Sequence, residues 1–261
     1  MLKQRVVSAI IALALLLAVL FVAPPVLAHA VIALVIAAAA WEWSQFLGAD
    51  SQVERAAFVA VIVLGELGVT FAPVPGLQQL VLYVALVGWI AALVWTTRFP
   101  TPIPKLLVWV GGILALLPTF IALTVLYSRS AWWLLGLLVI VWLADIGAYF
   151  SGRRFGRRKL APAISPGKTW EGVAGGLLAA LVAVVAAIPF MGLEPLPALA
   201  LGVVVILISV VGDLTVSMFK RTSGIKDSGR LFPGHGGLLD RIDSVCAAAP
   251  VFTLGVAVLG L

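Results

Sequence analysis

The segment from Ala198 to Asp243 reads ALALGVVVILISVVGDLTVSMFKRTSGIKDSGRLFPGHGGLLDRID and joins two opposite compositions. Its first 14 residues are almost entirely apolar, whereas its last 27, from Ser217 onward, hold five basic residues, three aspartates, one histidine and five glycines. A helix needs about 20 mostly apolar residues to cross the hydrocarbon core of a bilayer. The segment therefore predicts a transmembrane helix that ends in a charged loop at the membrane surface.

The rest of the chain is apolar enough to place the whole protein in a membrane. Of its 261 residues, 63% are hydrophobic and 11% are charged, and the mean hydropathy is +1.18, which excludes a soluble domain. The apolar runs are continuous rather than alternating, which excludes a β-barrel. We predict an all-α fold, a polytopic membrane bundle of about nine transmembrane helices. The predicted spans are roughly 6–23, 25–46, 57–72, 78–97, 106–126, 132–150, 172–191, 197–218 and 244–260.

These spans divide the chain into two regions with no soluble linker between them. Residues 1–130 form an N-terminal transmembrane region of about five spans that is sparse in chemistry. Residues 131–261 form the predicted catalytic transmembrane region, with cytoplasmic loops at 151–171 and 219–243. The seventh span carries a face of small residues that permits close helix packing. These residues are Gly172, Gly175, Gly176 and Ala180.

The distribution of positive charge predicts the orientation. With the N-terminus inside, 16 of the 17 lysines and arginines lie on that side, and only Arg129 lies on the other. The positive-inside rule then places the N-terminus and both charged loops in the cytoplasm and the C-terminus outside. The pI of 9.9 reflects this basic face, which we expect to attract anionic lipid and phosphate rather than nucleic acid.

Residues 1–30 allow a second interpretation, a cleaved signal peptide. Their basic start, apolar run and Ala28-His29-Ala30 ending resemble a signal-peptidase site. Cleavage would remove one span and leave the charged loops cytoplasmic. Pro24 and Pro25 precede a second full span with almost no polar spacer, which favours a helical hairpin.

Two acidic residues of the N-terminal region have apolar neighbours. Glu42, between Trp41 and Trp43, is predicted to lie at the membrane interface, where tryptophans collect. Glu66 lies inside the third span, where an ionisable residue is a functional candidate. A hydrogen-bonded acid at a helix contact explains Glu66 equally well.

Asp145 lies within the sixth apolar span, with Tyr149 on the same helical face. An aspartate at that depth costs about 2.5–3.5 kcal/mol unless it is paired or bound to a cation. Asp145 therefore either belongs to a functional site or makes a structural polar contact. The basic residues that follow, from Arg153 to Lys159, also fit a positive-inside anchor alone.

The next loop contains SPGKTWEG, from Ser165 to Gly172, and opens the seventh span. Ser165 or Thr169 can cap that helix, and the backbone N–H groups at its start favour an anion. Lys168 adds a positive charge suited to phosphate. A P-loop is excluded, because the Gly-x4-Gly-Lys-Ser/Thr spacing is absent and no strand is expected before it.

Asp213 follows the apolar run of the eighth span. Ser217 and Lys220 come four and seven residues later, so all three share a helical face that leads into the charged loop. Asp240 and Asp243 also share a face if their segment is helical.

Three carboxylates at one place repel each other unless a divalent cation joins them. Hard oxygen ligands suit Mg²⁺, which makes Asp213, Asp240 and Asp243 candidate ligands. The alternative is a salt-bridge network with Lys220 and Arg241.

Between these aspartates, the segment from Pro233 to Gly237 is too rich in glycine for a stable helix. Such backbone allows a phosphate to approach closely. His235 is then a candidate to donate to a phosphate oxygen or to act as an acid, and a purely structural histidine is the alternative.

The segment from Ser217 to Asp243 resembles the signature of the phosphatidate cytidylyltransferases, also called CDP-diacylglycerol synthases. That pattern is S-x-hydrophobic-KR-x4-KD-x-small-x2-hydrophobic-P-x-HGG-hydrophobic-x-DR-hydrophobic-D. The matching positions are Ser217, Lys220, Arg221, Lys226, Asp227, Gly229, Phe232, Pro233, His235, Gly236, Gly237, Asp240, Arg241 and Asp243. The region from Ala144 to Gly172 resembles the family's second recurring region, although Gly167 stands where many members carry a second lysine.

The resemblance implies a nucleotidyltransferase that transfers CMP from CTP to phosphatidic acid, giving CDP-diacylglycerol and pyrophosphate in phospholipid biosynthesis. It implies Mg²⁺, leaves open a second, monovalent ion such as K⁺, and suggests a homodimer in the lipid bilayer. The residues fit this chemistry, because the lipid phosphate is already anionic and needs no strong general base. Two polyanions must instead be held together by metal and cationic side chains.

Each candidate residue then has a predicted role. The metal ligands are Asp213, Asp240 and Asp243, with Asp145 as a weaker candidate. The catalytic residues are Asp213, Lys220, Arg221, Lys226, Asp227, His235, Asp240, Arg241 and Asp243. The substrate-binding residues are Asp145, Arg154, Ser165, Lys168, Thr169, Ser217, Gly236 and Gly237.

Three other functions fit the sequence less well. A CDP-alcohol phosphatidyltransferase would carry DG-x2-AR-x8-G-x3-D-x3-D, which is absent. A transporter or anion channel lined by Glu66, Asp145 and Asp213 is expected to show repeated halves, but the first half has no counterpart of the charged loops. A non-catalytic anchor needs neither the aspartates nor the HGG segment.

Overall fold

The computed structural model describes residues 2–48, 52–71, 74–229 and 236–261, with side chains from Ile10 onward. Within these residues the chain forms nine α-helices, one 3-10 turn (Ser44–Leu47) and one two-stranded sheet. The helices are α1 (Leu2–Phe21), α2 (Pro25–Trp43), α3 (Gln52–Phe71), α4 (Leu77–Thr97), α5 (Lys105–Arg129), α6 (Ala131–Phe155), α7 (Trp170–Met191), α8 (Pro195–Thr222) and α9 (Leu239–Val258). The predicted helical membrane bundle is confirmed, because the nine α-helices account for most of the described residues.

Seven helical segments among the described residues are long and apolar enough to cross a membrane. They are α2 extended to Leu47, and α4 to α9. Two further helices, α1 and α3, fall outside this set, so the predicted count of about nine spans is not confirmed. In α3 the reason is charge, because Glu54, Arg55 and Glu66 all lie in its 20 residues.

Contacts between helix ends agree with the alternating directions that the spans predict. Ser223 Oγ, just after α8, donates to the carbonyl of Phe46, just after α2, at 3.2 Å. His29 Nε2, near the start of α2, lies 3.1 Å from Ser128 Oγ near the end of α5. The ends of α2 and α8 therefore lie at one end of the bundle, and the end of α5 lies at the other.

The loop between α6 and α7 differs from the prediction. Helix α6 continues to Phe155, and strands β1 (Lys159–Ala161) and β2 (Ser165–Thr169) then pair in antiparallel fashion. The all-α prediction is therefore wrong at this hairpin, as is the expectation that no strand precedes α7. Ile164, in the turn between the strands, is buried, so the turn packs against the helical bundle. The spacing that excludes a P-loop is unaffected.

Small residues let α6 and α7 pack closely, as the sequence predicts. A Cβ atom at Gly176 would lie 2.5 Å from the carbonyl oxygen of Ala144, and one at Gly147 would lie 2.6 Å from Ala179 Cβ. Ala180 is fully buried. This packing holds the end of α6 and the start of α7 against each other.

The N-terminal region packs directly on the catalytic region, with α5 against α9 and α4 against α8. Phe219 of α8 marks this contact, since its ring centroid lies 5.0 Å from that of Trp43 and 5.8 Å from that of Trp95. The next residue in the chain is Lys220, which points into the candidate site.

Candidate active site

An ion pair joins the hairpin to α8. Lys168 Nζ, from β2, pairs with Asp213 Oδ2, and Ser217 Oγ donates to Asp213 Oδ1 at 3.1 Å. The predicted common face of Asp213 and Ser217 is therefore confirmed. Side chains of Lys168 and Asp213 keep 27% and 24% of their surface exposed, so this pair is open to solvent or ligand.

A second group of charges lies between α8 and α9. Lys220 Nζ is 2.7 Å from Asp240 Oδ1 and 3.8 Å from Asp243 Oδ2. The predicted common face of the two aspartates is confirmed, because one ammonium group contacts both. Removing one member of such a buried group costs about 3–5 kcal/mol. We call Lys168, Asp213, Lys220, Asp240 and Asp243 the lysine–aspartate cluster.

The second oxygen of Asp240 binds backbone. Asp240 Oδ2 accepts hydrogen bonds from Ser228 N at 2.9 Å and from Gly237 N at 3.0 Å. At Gly236, φ is +78° and a Cβ atom would lie 2.8 Å from the same oxygen, so glycine is required there by both conformation and space. Gly236 and Gly237 thus bring the backbone up to the carboxylate.

A fourth carboxylate, that of Asp145, reaches the cluster from α6. The side chain of Asp145 hydrogen-bonds that of Ser244 and interacts electrostatically with Asp213 and Lys168. Asp243 interacts with the same two residues. Asp145 and Asp243 therefore lie within electrostatic range of the Lys168–Asp213 pair, whereas Asp240 bonds Lys220 with one oxygen and backbone N–H groups with the other.

The described residues contain no group of three or more Asp, Glu, His or Cys side chains already spaced to hold a metal ion. Each aspartate of the cluster pairs with a lysine instead. This is the salt-bridge network that the sequence offered as the alternative to a metal site, and it includes Lys168 as well as Lys220. The donor chemistry nonetheless fits Mg²⁺, because carboxylate oxygens are its preferred protein ligands. Asp213 pairs with Lys168, a partly exposed lysine that phosphate could attract away.

Two residues predicted to bind substrate have structural contacts. Thr169 is buried and caps α7, since its Oγ1 accepts a hydrogen bond from Gly172 N at 3.1 Å. The capping prediction is confirmed for Thr169, whereas Ser165 lies in β2 opposite Ala161 and does not cap the helix. Glu171 accepts from the backbone N–H groups of Arg157 and Arg158, which fixes the entry to the hairpin.

Four more predicted site residues lie on α6, on α8 or just after α8. Arg221 Nε donates to the carbonyl of Ile164 at 3.0 Å, so it ties α8 to the hairpin turn. Arg154 is exposed in the last turn of α6, and Lys226 and Asp227 are exposed just after α8.

Arg241 and His235 are the other two predicted site residues. Arg241 is exposed on α9 and interacts electrostatically with Asp145. His235 lies outside the described residues.

Glu42 has contacts that the sequence did not indicate. Only 6% of this residue is exposed, and its carboxylate accepts three hydrogen bonds at the start of α9 and from the loop before it. The donors are Ser228 Oγ at 2.9 Å, Leu238 N at 2.9 Å and Leu239 N at 2.8 Å. One signal was available, because Leu238 at the N-cap of α9 offers no side-chain acceptor, so the cap has to come from elsewhere.

Glu66 is also buried, but its surroundings differ from those of Glu42. No hydrogen-bond partner of Glu66 Oε1 exists among the described atoms. Both explanations of this residue therefore stay open.

Comparisons with known proteins agree with the geometry. The model of the cytidylyltransferase family matches residues 3–259. A phosphatidate cytidylyltransferase of Pseudomonas aeruginosa is 43% identical over 264 residues, which cover 97% of this chain and 96% of that protein. One of Haemophilus influenzae is 38% identical over 283 residues, covering 97% and 98%. One of Brucella suis is 50% identical over 123 residues, covering 45% and 44%.

Proposed function

Because the chain belongs to the cytidylyltransferase family, we propose that its lysine–aspartate cluster is the active site. The activity is transfer of the cytidylyl group from CTP to phosphatidic acid, which gives CDP-diacylglycerol and pyrophosphate. The observation that carries the site assignment is the Lys168–Asp213 pair. It links the charged hairpin before α7 to the polar end of the apolar helix α8, where a lipid headgroup and a nucleotide can meet.

The chemistry requires electrostatic control more than a base. An oxygen of the lipid phosphate attacks the α-phosphorus of CTP, the bond from that phosphorus to the bridging oxygen breaks, and pyrophosphate leaves. The attacking oxygen is already anionic, so the main barrier is repulsion between two polyanions. Fixed cations at the site lower that barrier. Lys168 is the most available of these, since its side chain is partly exposed.

We assign Mg²⁺ binding to Asp213 and Asp243, with Asp145 as a third ligand. When bound, the ion would neutralise phosphate oxygens and polarise the phosphorus that is attacked. Of the three ligands predicted from the sequence, Asp240 is the most heavily engaged, because Lys220 binds one of its oxygens and two backbone N–H groups bind the other. Its role in the proposal is to fix Lys220.

Phosphate binding is assigned to the cations around the cluster. Lys226 and Arg154 are exposed and can reach a phosphate from solvent, while Lys220 contributes its charge from within the cluster. Arg221 and Arg241 share this role through their positions beside Lys220 and Asp240 in the chain. His235 keeps its proposed role as a phosphate donor or acid.

The proposed location is the cytoplasmic membrane of a bacterium, with the cluster on the cytoplasmic side. Support comes from the positive-inside distribution of lysine and arginine. Arg129, the one basic residue expected outside, bonds the carbonyl of Leu261 at the opposite end of the bundle from Ser223. A monovalent ion and a homodimer remain proposals from the family resemblance.

Turnover by the purified protein tests this proposal. Protein in mixed micelles with phosphatidic acid, radiolabelled CTP and Mg²⁺ is expected to yield labelled, chloroform-soluble lipid, and EDTA should abolish it. Incorporation of cytidine into lipid, rather than release of CMP, separates this reaction from that of a phosphatidyltransferase. If folded protein gives no labelled lipid with Mg²⁺, Mn²⁺ or added K⁺, the proposal fails, and anion flux in proteoliposomes becomes the assay.

A further inference from the structure

Glu42 belongs to the N-terminal region, yet its carboxylate lies where α9 begins. Both oxygens accept from backbone, Oε1 from Leu238 N and Oε2 from Leu239 N, and Oε2 also accepts from Ser228 Oγ. All three donors are neutral groups, and two are N–H groups of a helix start that has no side-chain cap of its own. A carboxylate suits this place, because a helix start is electropositive.

The backbone fits closely around the same carboxylate. A Cβ atom at Gly229 would collide with Glu42 Oε1, and one at Gly237 would collide with Oε2. Gln45 Nε2, from the 3-10 turn after α2, also donates to the carbonyl of Ser228 at 2.7 Å. The end of α2 therefore holds the chain on both sides of residues 230–235.

Glu42 and Asp240 bind the same short stretches of chain. Ser228 gives its hydroxyl hydrogen to Glu42 and its N–H to Asp240. Leu239, whose N–H is bound by Glu42, immediately precedes Asp240. A shift of the α9 start would therefore move Asp240 away from Lys220.

We infer that Glu42 is a positioning residue for cytidylyl transfer, which sets the start of α9 so that Asp240 and Asp243 meet Lys220. This inference rests on the proposed assignment of the lysine–aspartate cluster to the active site. Glu42 touches no reacting atom, and it acts through Ser228, Leu238 and Leu239. The N-terminal region thus supplies part of the active-site framework as well as membrane anchorage.

The substitution Glu42→Gln tests the inference sharply. In either orientation of the amide, its NH₂ group faces one of two backbone N–H donors, so one of them loses its acceptor. Glu54→Gln is the matched control, because Glu54 is an ion-paired acid of the same region, bonded to Lys105 at 2.7 Å and not to the loop. The measurements are kcat, the KM values for CTP and phosphatidic acid, thermal unfolding, and hydrogen exchange of a peptide covering residues 236–243.

Glu42→Gln is expected to lower kcat about 10- to 100-fold, as a small misplacement of catalytic groups does. The amides of Leu238 and Leu239 should exchange faster, while the thermal midpoint stays close to that of the control. Ser228→Ala removes one of the three hydrogen bonds to Glu42 but leaves both backbone N–H donors with their acceptor. A smaller fall in kcat is therefore expected. The two substitutions should be non-additive, because both act on the hydrogen bonds of the same carboxylate.

Wild-type kcat in Glu42→Gln would overturn the inference, as would an equal loss in Glu54→Gln. If Glu42→Gln cannot be purified in folded form, Ser228→Ala decides. A several-fold lower kcat at an unchanged thermal midpoint then supports positioning, and wild-type kcat refutes it. If wild-type protein makes no lipid product, the proposed function has failed, and the exchange rates alone show whether Glu42 holds α9.

Discussion

The two lysine–aspartate groups of the cluster differ in their access to ligand. Lys168 and Asp213 keep about a quarter of their side-chain surface exposed, at 27% and 24%. Lys220 keeps 9%, and Asp240 and Asp243 keep 11% each. The first pair joins the hairpin to α8 and can open, whereas the second group joins α8 to α9 and also holds backbone. The Lys168–Asp213 pair is therefore accessible to ligand, whereas the group formed by Lys220, Asp240 and Asp243 holds the helices together.

The difference follows from desolvation. An exposed ion pair contributes about 0–1 kcal/mol, so Lys168 can exchange Asp213 for a phosphate at little cost. Breaking a buried pair costs about 3–5 kcal/mol, so Lys220 is expected to stay with its aspartates through the reaction. Substitutions in the two groups should therefore separate stability from activity.

The largest effect is expected for Lys220→Ala. Two buried carboxylates would lose their shared cation, so the free energy of unfolding should fall by about 3–5 kcal/mol and activity should disappear. Thermal unfolding in detergent and turnover of the same preparation check both. Wild-type stability in Lys220→Ala would contradict the assignment of this group as framework.

Asp213→Asn should lower activity strongly and stability only slightly. We expect at least a 100-fold loss of kcat/KM with a change in unfolding free energy of less than about 1 kcal/mol, because the pair is partly exposed. A Mg²⁺ titration should show a higher metal requirement for any residual activity. Near wild-type turnover across that titration would remove Asp213 from the metal site.

Lys168→Ala should affect substrate binding more than folding. Loss of its charge is expected to raise the KM for CTP or phosphatidic acid about tenfold, since one charge-assisted contact is worth about 1.5–3 kcal/mol. Steady-state kinetics at several salt concentrations measure this, with a weaker salt dependence expected in the variant. Lys159→Ala is the control, because Lys159 is an exposed cation at the other strand of the same hairpin.

Lys226→Ala should give the smallest effect. Its side chain is exposed after α8, so a rise in KM of a few-fold with unchanged stability is expected. Unchanged kinetic constants would remove Lys226 from the phosphate-binding set.

Local patterns in the sequence predicted much of the fold and the cluster. The apolar runs predicted the helices, and helical spacing placed Asp213 with Ser217 and Asp240 with Asp243. The family signature lies within 27 consecutive residues, so it could be recognised from sequence without a structure.

Features that depend on distant contacts were missed or wrong. Glu42 bonds to residues 186 to 197 positions away, and no local pattern shows such a contact. The hairpin escaped prediction because β1 has only three residues and its partner strand contains Pro166 and Gly167. Lys168, predicted as a phosphate contact, turned out to pair with Asp213 of α8.

The most direct test of the difference between the two groups is the reactivity of their lysines. Purified protein would be treated with an amine-reactive reagent, with and without CTP and Mg²⁺, and each lysine quantified by mass spectrometry against the exposed Lys159. We predict that Lys168 reacts in the free protein and is protected by CTP, while Lys220 stays unreactive in both conditions. Reaction of Lys220 as fast as Lys168, or no protection of Lys168 by CTP, would contradict the account.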